Sequence, residues 1–351
     1  MMEPMKWTLC AALSATLLFA ADQPTTKLAT EVASKGWIVY CAKTGKGDWD
    51  VFLMRPDGSH KRNLTNTPDF NEMGGRFSPD GQKILFRRIP LGTKVRHDSW
   101  GATGQLVIAN SDGSGEVAYG EAGDWPWAVW GPDGKQVSCL TKGGIEIRNL
   151  STKEVVRKLD RKGIFQQMFW SPDGKWFTGT ANFFGENWTV VRMNAETGDV
   201  SAIAKFQNCT ADWFPDSKRV INSYRPGNQE VIDGGKLSQA VGQKPQYGWT
   251  QLWMTDGDGS NRKLVMGEDG KHIYGGAISP DGKYVLFTPS TTDGGIETGL
   301  ISLMWLSAAP IIRGESPALR KVHPEAKEGV VLELTPGWEP HWTYAALGGR
   351  K

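Results

Sequence analysis

The 351-residue sequence has no long hydrophobic run after its first residues, no excess of either charge and few cysteines. Each absence removes a class of function. The longest apolar stretch, Trp7 to Ala20, is short for a bilayer span of about 20 residues, and no later stretch approaches it. Forty Lys and Arg stand against 38 Asp and Glu, for a formal net charge of +2 with no basic or acidic block. Neither nucleic acid nor an anionic membrane surface is therefore expected as a partner. Of the four cysteines, Cys10 lies in the first apolar run, leaving Cys41, Cys139 and Cys209. Three cysteines cannot all pair within one chain, so they are expected as buried free thiols.

The signatures of several chemistries are also missing. No cysteine pair has zinc spacing, and neither an HExxH nor a phosphate-cradling GxxxxGK[ST] sequence occurs. "DGDGS" from Asp256 lacks the register and closing Glu of a calcium loop and is expected to be an ordinary inter-strand turn. A propeller followed by a hydrolase domain is not expected either, because residues 345–351 leave no room for a nucleophile elbow.

What is present begins with "MMEPMKWTLCAALSATLLFAADQ": Lys6, an apolar run, then polar Asp22 and Gln23. This pattern predicts a secretory signal peptide over 1–21, followed by a short segment, 22–35. A periplasmic or secreted location follows, with no membrane span after cleavage. The rest is dominated by a repeat. "FSPDGQKILF" from Phe77 returns as "WGPDGKQVSCL", "WSPDGKWFTGT", "WFPDSKRVINS" and "ISPDGKYVLFT". The prolines, Pro79, Pro132, Pro172, Pro215 and Pro280, are 53, 40, 43 and 65 residues apart.

In each copy a large residue precedes the turn and an alternating apolar run follows it, the pattern of two antiparallel strands around a tight connection. Pro presets one φ and Gly supplies a positive one. A second hairpin follows, as in "DVFLMRPDGSHKRNLT" with its turn at Arg55 to Gly58. Four strands per unit at this spacing are the blades of a β-propeller. An N-terminal trio, Trp37 to Thr65, lacks an inner strand, and a C-terminal strand, Glu339 to Tyr344, lacks companions. Joined, they predict an all-β, six-bladed propeller over 36–344, closed by the C-terminal strand pairing into the N-terminal blade, with 345–351 as a tail.

The repeat resembles that of the TolB family, which places an aromatic before Ser-Pro-Asp-Gly and often ends the fourth strand in Leu-Thr. The matching residues here are Phe77-Ser78-Pro79-Asp80-Gly81, Trp170-Ser171-Pro172-Asp173-Gly174 and Leu64-Thr65. The resemblance covers roughly Gly36 to Tyr344 and implies the propeller fold. It does not imply the family's role in the Tol system, because the α/β domain that precedes the TolB propeller has no counterpart in residues 22–35.

In a propeller the Ser-Pro-Asp-Gly turns and the second hairpin turns share one face. The other face receives the longest connections here, from Arg87, Ala181, Ser223 and Thr288. Long loops gathered on one rim mark the candidate ligand face. One long insertion, 307–328, falls instead on the turn face, where either a bracing segment or a partner site fits.

Two positions before the large residue, the inner strands carry a mostly small column: Gly75, Ala128, Met168, Ala211, Gly276 and Pro340. This column is expected to face a narrow channel. Toward the loop rim stand Glu72, Trp125, Trp127, Gln166, Gln167, Tyr274, Trp338 and Glu339, whose aromatic faces and hydrogen-bonding ends suit a peptide, protein or glycan ligand. The expected function is a binding or scaffolding module without a cofactor. The alternative is a metal-dependent carbohydrate-active enzyme similar to oligogalacturonate lyases, which are propellers with a His-rich manganese site. It would use His97, His272 and His341 for a divalent metal such as manganese.

Overall fold

A computed structural model of the chain describes residues 24–94, 100–164, 166, 168–182, 188–226, 248–294 and 296–348. Six sheets, each built on four antiparallel strands, are arranged in a ring as a β-propeller. Blade 1 consists of Trp338–Thr343, Trp37–Lys43, Trp49–Met54 and Arg62–Asn63, so the last strand is its inner strand. The closing register pairs Trp37 with Thr343, Ile38 with Trp342 and Val39 with His341. The inner strands of blades 2 to 6 are Phe70–Phe77, Val129–Trp130, Phe169–Trp170, Asn208–Trp213 and His272–Ile278.

The repeated turn is explained by its buried serine. In blade 2, Ser78 Oγ donates to Asp80 at 2.6 Å and accepts the Lys83 amide at 3.0 Å. Blade 4 repeats this with Ser171, Asp173 and Trp176, and blade 6 with Ser279, Asp281 and Tyr284. Gly81, at φ 70°, turns the chain back. The large residue before the turn joins neighbouring blades. Trp130 Nε1 of blade 3 donates to the Arg76 carbonyl of blade 2 at 3.0 Å, and Trp213 Nε1 of blade 5 to the Phe169 carbonyl of blade 4 at 3.2 Å.

The core lies between blades. Val39, Val51 and Leu53 of blade 1 pack on Phe77, Ile84, Phe86 and Val107 of blade 2, and comparable clusters join the other blades. This packing explains the small column. A Cβ on Gly75 would lie 3.0 Å from Val39 and 3.1 Å from Val51, and one on Gly276 would lie 3.0 Å from Ile221. At those two positions the preceding blade packs on the residue and keeps it small, while Ala211, Gly276 and Pro340 of the column also border the channel. Cys41, Cys139 and Cys209 are buried free thiols, as expected.

Both ends of the described chain brace the turn face. The helix Pro24–Val32 buries Leu28 and Val32 against blades 6 and 1, and its Glu31 accepts from the Tyr284 hydroxyl and from Trp305 Nε1. At the other end, the Gly348 amide donates to Ser111 Oγ at 2.7 Å, and Gln82 Nε2 donates to the Ala346 carbonyl at 2.9 Å. The 307–328 insertion is a bracing segment. Its strand Ile311–Arg313 leaves blade 6 and pairs parallel to Lys263–Glu268, becoming a fifth strand that covers the outer edge of blade 5. Its helix Pro317–Val322 buries Leu319 against Leu264 and Ile312. Among the described residues, no helix is long and apolar enough to cross a membrane.

Candidate ligand site at the channel mouth

One backbone feature sets the geometry of the loop-face mouth. Three positions before the large residue, every inner strand with a described residue there has positive φ: Gly74 at 70°, Trp127 at 50°, Thr210 at 48°, Gly275 at 62° and Glu339 at 51°. Strand pairing slips at this point in blades 1, 2, 5 and 6, as expected of a β-bulge. The equivalent residue of blade 4, Gln167, lies outside the described residues. For Trp, Thr and Glu this conformation costs on the order of 1–3 kcal/mol each, a strain that surrounding structure must impose and that gathers at binding sites.

The bulge also resets the alternation of side chains. The residue just before each large one, Arg76, Val129, Phe169, Asp212, Ala277 and His341, borders the channel. Arg76 pairs with Asp212 across the ring, from blade 2 to blade 5, at 3.7 Å, and its guanidinium carbon lies 4.5 Å from the centre of the Phe169 ring. Arg76, Phe169, Asp212 and Ala277 border the space on both sides, so this layer divides the channel into a loop-face cavity and a turn-face funnel. Burial pushes the Asp212 carboxyl up, and Arg76 opposes that shift.

The loop-face cavity holds about 790 Å³, counting its open mouth. Five of the predicted residues meet there: Trp127, Gln166, Tyr274, Trp338 and Glu339. Gln166 Oε1 accepts from Thr180 at 2.6 Å. The Tyr274 and Trp338 rings are 5.6 Å apart. The Tyr274 hydroxyl donates to Asp293 at 2.7 Å, accepts the Gly294 amide at 2.7 Å and meets Arg225, which also pairs with Asp293. Burial, helped by the Asp293 carboxylate, pushes that hydroxyl up to about 12, so the ring is a fixed neutral wall.

Other predicted residues lie elsewhere. Glu72 is buried outside the cavity, where it pairs with Arg88 at 2.9 Å and accepts from Thr67; burial pushes its carboxyl up to about 7. Trp125 packs edge-on against Tyr119 at 5.6 Å and beneath Arg148, joining blades 2 and 3. His97, like Gln167, lies outside the described residues. His272 shares its Nδ1 with the Thr250 hydroxyl at 2.9 Å, meets Trp249 edge-on at 4.9 Å and stacks on Tyr274 at 6.0 Å. His341 belongs to the dividing layer. With blades aligned on their large residues, the two histidines are five positions apart along the strand, on the order of 15 Å. Among the described residues, no three His, Cys, Asp or Glu side chains gather as a metal set.

Sequence reasoning missed the dividing layer, although its column can be read one position before the large residue. It also missed Trp249, which begins a row of rings running through His272 and Tyr274 to Trp338. That row depends on contacts between blades 5, 6 and 1, which sequence spacing does not encode.

His341 gives a prediction. Its Nδ1 accepts the Phe77 amide at 3.1 Å, and burial, reinforced by Arg76, pushes the imidazole from 6.5 down to about 3. Above 6.5 neither state is protonated at this site. Between the two values only the unfolded chain takes up the proton, so stability falls with pH by about 1.4 kcal/mol per unit. His341→Asn retains an acceptor without the titration. Its urea midpoint should therefore depend less on pH than the wild type between about pH 6 and 4. Parallel curves would remove His341 as the cause.

No family model matches the sequence, and no curated protein sequence does. Solved structures do match. TolB from Acinetobacter baumannii is 18% identical, with 88% of this chain and 67% of that chain covered and a TM-score of 0.58. A TolB structure from Agrobacterium tumefaciens is 17% identical over 77% of this chain and 84% of that one, with a TM-score of 0.51. A chain of a nidogen/laminin complex is 10% identical over 87% and 98%, with a TM-score of 0.55. The class is thus a six-bladed β-propeller of TolB-like architecture. At these identities the likeness establishes fold alone.

Proposed function

We propose that the protein is a periplasmic or secreted binding module that holds a protein, peptide or glycan ligand in the loop-face cavity and needs no cofactor to do so. The observation that carries this reading is a cavity walled by Trp127, Tyr274 and Trp338, edged by Gln166 and Glu339, and floored by the Arg76, Phe169 and Asp212 layer. Concave, mostly apolar sites with a few placed polar groups are where ligands bind. The strained backbone at Trp127 and Glu339 supports the same reading. On the turn face, by contrast, similar hairpins repeat around the ring and the one long insertion is bound to blade 5.

Peptide and glycan arrays probed with the purified chain would identify a ligand. Trp127→Ala should then weaken binding by about 1 to 3 kcal/mol, the usual cost of removing a stacking aromatic. A melting curve separates this loss from misfolding. Unchanged affinity in folded Trp127→Ala and Glu339→Gln, with loss instead on replacing Arg313 to Lys321, would move the site to the opposite face.

A further inference from the structure

We propose that the turn-face funnel is a second binding site, which takes the carboxylate of an apolar ligand onto the Arg76 guanidinium and the Nε2–H of His341. The funnel holds about 1250 Å³, counting its open mouth, and both residues border it. It lies across the dividing layer from the loop-face cavity, so it is a separate site.

The donors it offers are not taken up by the protein. Among the described residues the one charged partner of Arg76 is Asp212 at 3.7 Å, a separation longer than a hydrogen bond. Phe169, 4.5 Å from the guanidinium carbon, has no side-chain oxygen to accept from it. The Arg76 side chain is 14% exposed, so its N–H groups open onto the channel instead of being sealed in the core. His341 adds a second donor. Its Nδ1 accepts the Phe77 amide at 3.1 Å, which places the proton of the neutral ring on Nε2. The imidazole is half-buried, and burial together with the neighbouring Arg76 keeps it neutral.

Two neighbouring donors, one of them cationic, fit a carboxylate. A single arginine already serves two carboxylates elsewhere in this fold: Arg88 pairs with Glu72 at 2.9 Å and Glu116 at 2.8 Å, and Arg313 with Glu268 at 3.5 Å and Glu333 at 3.4 Å. A ligand carboxylate would give Arg76 the same arrangement with Asp212. A phosphate dianion would meet more repulsion from Asp212, and an ammonium group would face two donors.

The rim selects the rest of the ligand. Each copy of the repeated turn sets a proline beside the funnel, Pro79, Pro132, Pro172, Pro215 and Pro280, and all but Pro132 are fully exposed. Proline brings no N–H group, so the rim offers apolar surface and few donors. An apolar body with a terminal carboxylate is the chemistry of a fatty acid or of the C-terminal end of an apolar peptide.

The test compares octanoate with octanamide, and N-acetyl-leucine with N-acetyl-leucinamide, on the purified chain. The nitrogen-15 signal of His341 Nε2, assigned with His341→Asn, reports the funnel, and the side-chain amide of Gln166 reports the loop-face cavity. At least one carboxylate should bind about tenfold more tightly than its amide, shifting Nε2 and leaving Gln166 in place. The pair that shows this separates a fatty-acid source from a peptide terminus. Arg76→Gln should erase the preference, whereas Asp212→Asn, which removes the competing charge, should raise it about threefold further. If Arg76→Gln does not fold, Asp212→Asn decides.

Equal affinities within both pairs, or no response to any of the four probes, would overturn the proposal. So would shifts at Gln166 in place of His341, or a preference that fails to rise in folded Asp212→Asn. None of these outcomes counts against the loop-face reading, which is tested by Trp127→Ala.

Discussion

A chain ending at Trp338 is expected to aggregate or to melt without a cooperative transition. The deletion removes Trp342, which is only 4% exposed and lies in the cluster that joins blades 1 and 6. It also removes the pairing of Thr343, Trp342 and His341 with Trp37, Ile38 and Val39. The bond from Trp342 Nε1 to the Lys35 carbonyl goes too, as does the 345–348 segment that ties to Gln82 and Ser111. Removing a buried Trp side chain alone costs about 3–5 kcal/mol. A whole inner strand should therefore consume most of the 5–15 kcal/mol typical of folded proteins and expose the edge of Trp37–Lys43 to other chains. Light scattering and a thermal melt check this. A truncated chain that remains monodisperse and melts within a few degrees of the full-length protein would show that ring closure is dispensable.

Gly36→Ala should destabilise the fold by more than about 3 kcal/mol, a large effect for one methyl group. Gly36 sits where the two ends of the propeller meet, at φ +76°, and a Cβ there would lie 1.9 Å from the Thr343 carbonyl oxygen and 2.7 Å from Tyr344 Cα. Both obstacles are backbone atoms of the closing segment, so no side chain can rotate out of the way. Relief requires the closing strand to move, which would disturb the Trp37 to Thr343 pairing and the contact from Arg55 to the Gly36 carbonyl. Gly45→Ala is the control. A Cβ at Gly45 meets nothing within 4 Å, and the change should stay within about 0.5 kcal/mol. Urea denaturation of both variants decides the matter, and equal midpoints would show that the closure tolerates displacement.

The local rules of this fold can be read from the sequence because they act over a few residues. Ser78, Asp80 and Gly81 satisfy their own turn, and the same chemistry recurs wherever the motif does. Blade number and closure also follow from the sequence, since an incomplete first unit and an orphan last strand leave edges that only pairing removes. Trp127, Gln166, Tyr274, Trp338 and Glu339 could be placed at the channel mouth because strand direction carries position along the propeller axis.

Which way each of those side chains turns was decided by the tertiary structure. The bulge at Gly74, Trp127, Thr210, Gly275 and Glu339 breaks the two-residue alternation on which a sequence reading of strands depends. Glu72 and Trp125 lie before the bulge, Glu72 pairing with Arg88 within blade 2 and Trp125 packing between blades 2 and 3, whereas Arg76, Phe169 and Asp212 lie after it and meet in the channel. The Arg76 to Asp212 pair joins blades 2 and 5 across the ring, and the 307–328 insertion leaves its own blade to cover the outer edge of the preceding one. The sequence by itself determined the repeat, its turns and the ring. Contacts between residues far apart in the chain determined the divided channel and its charged floor, because they exist only once the ring has closed.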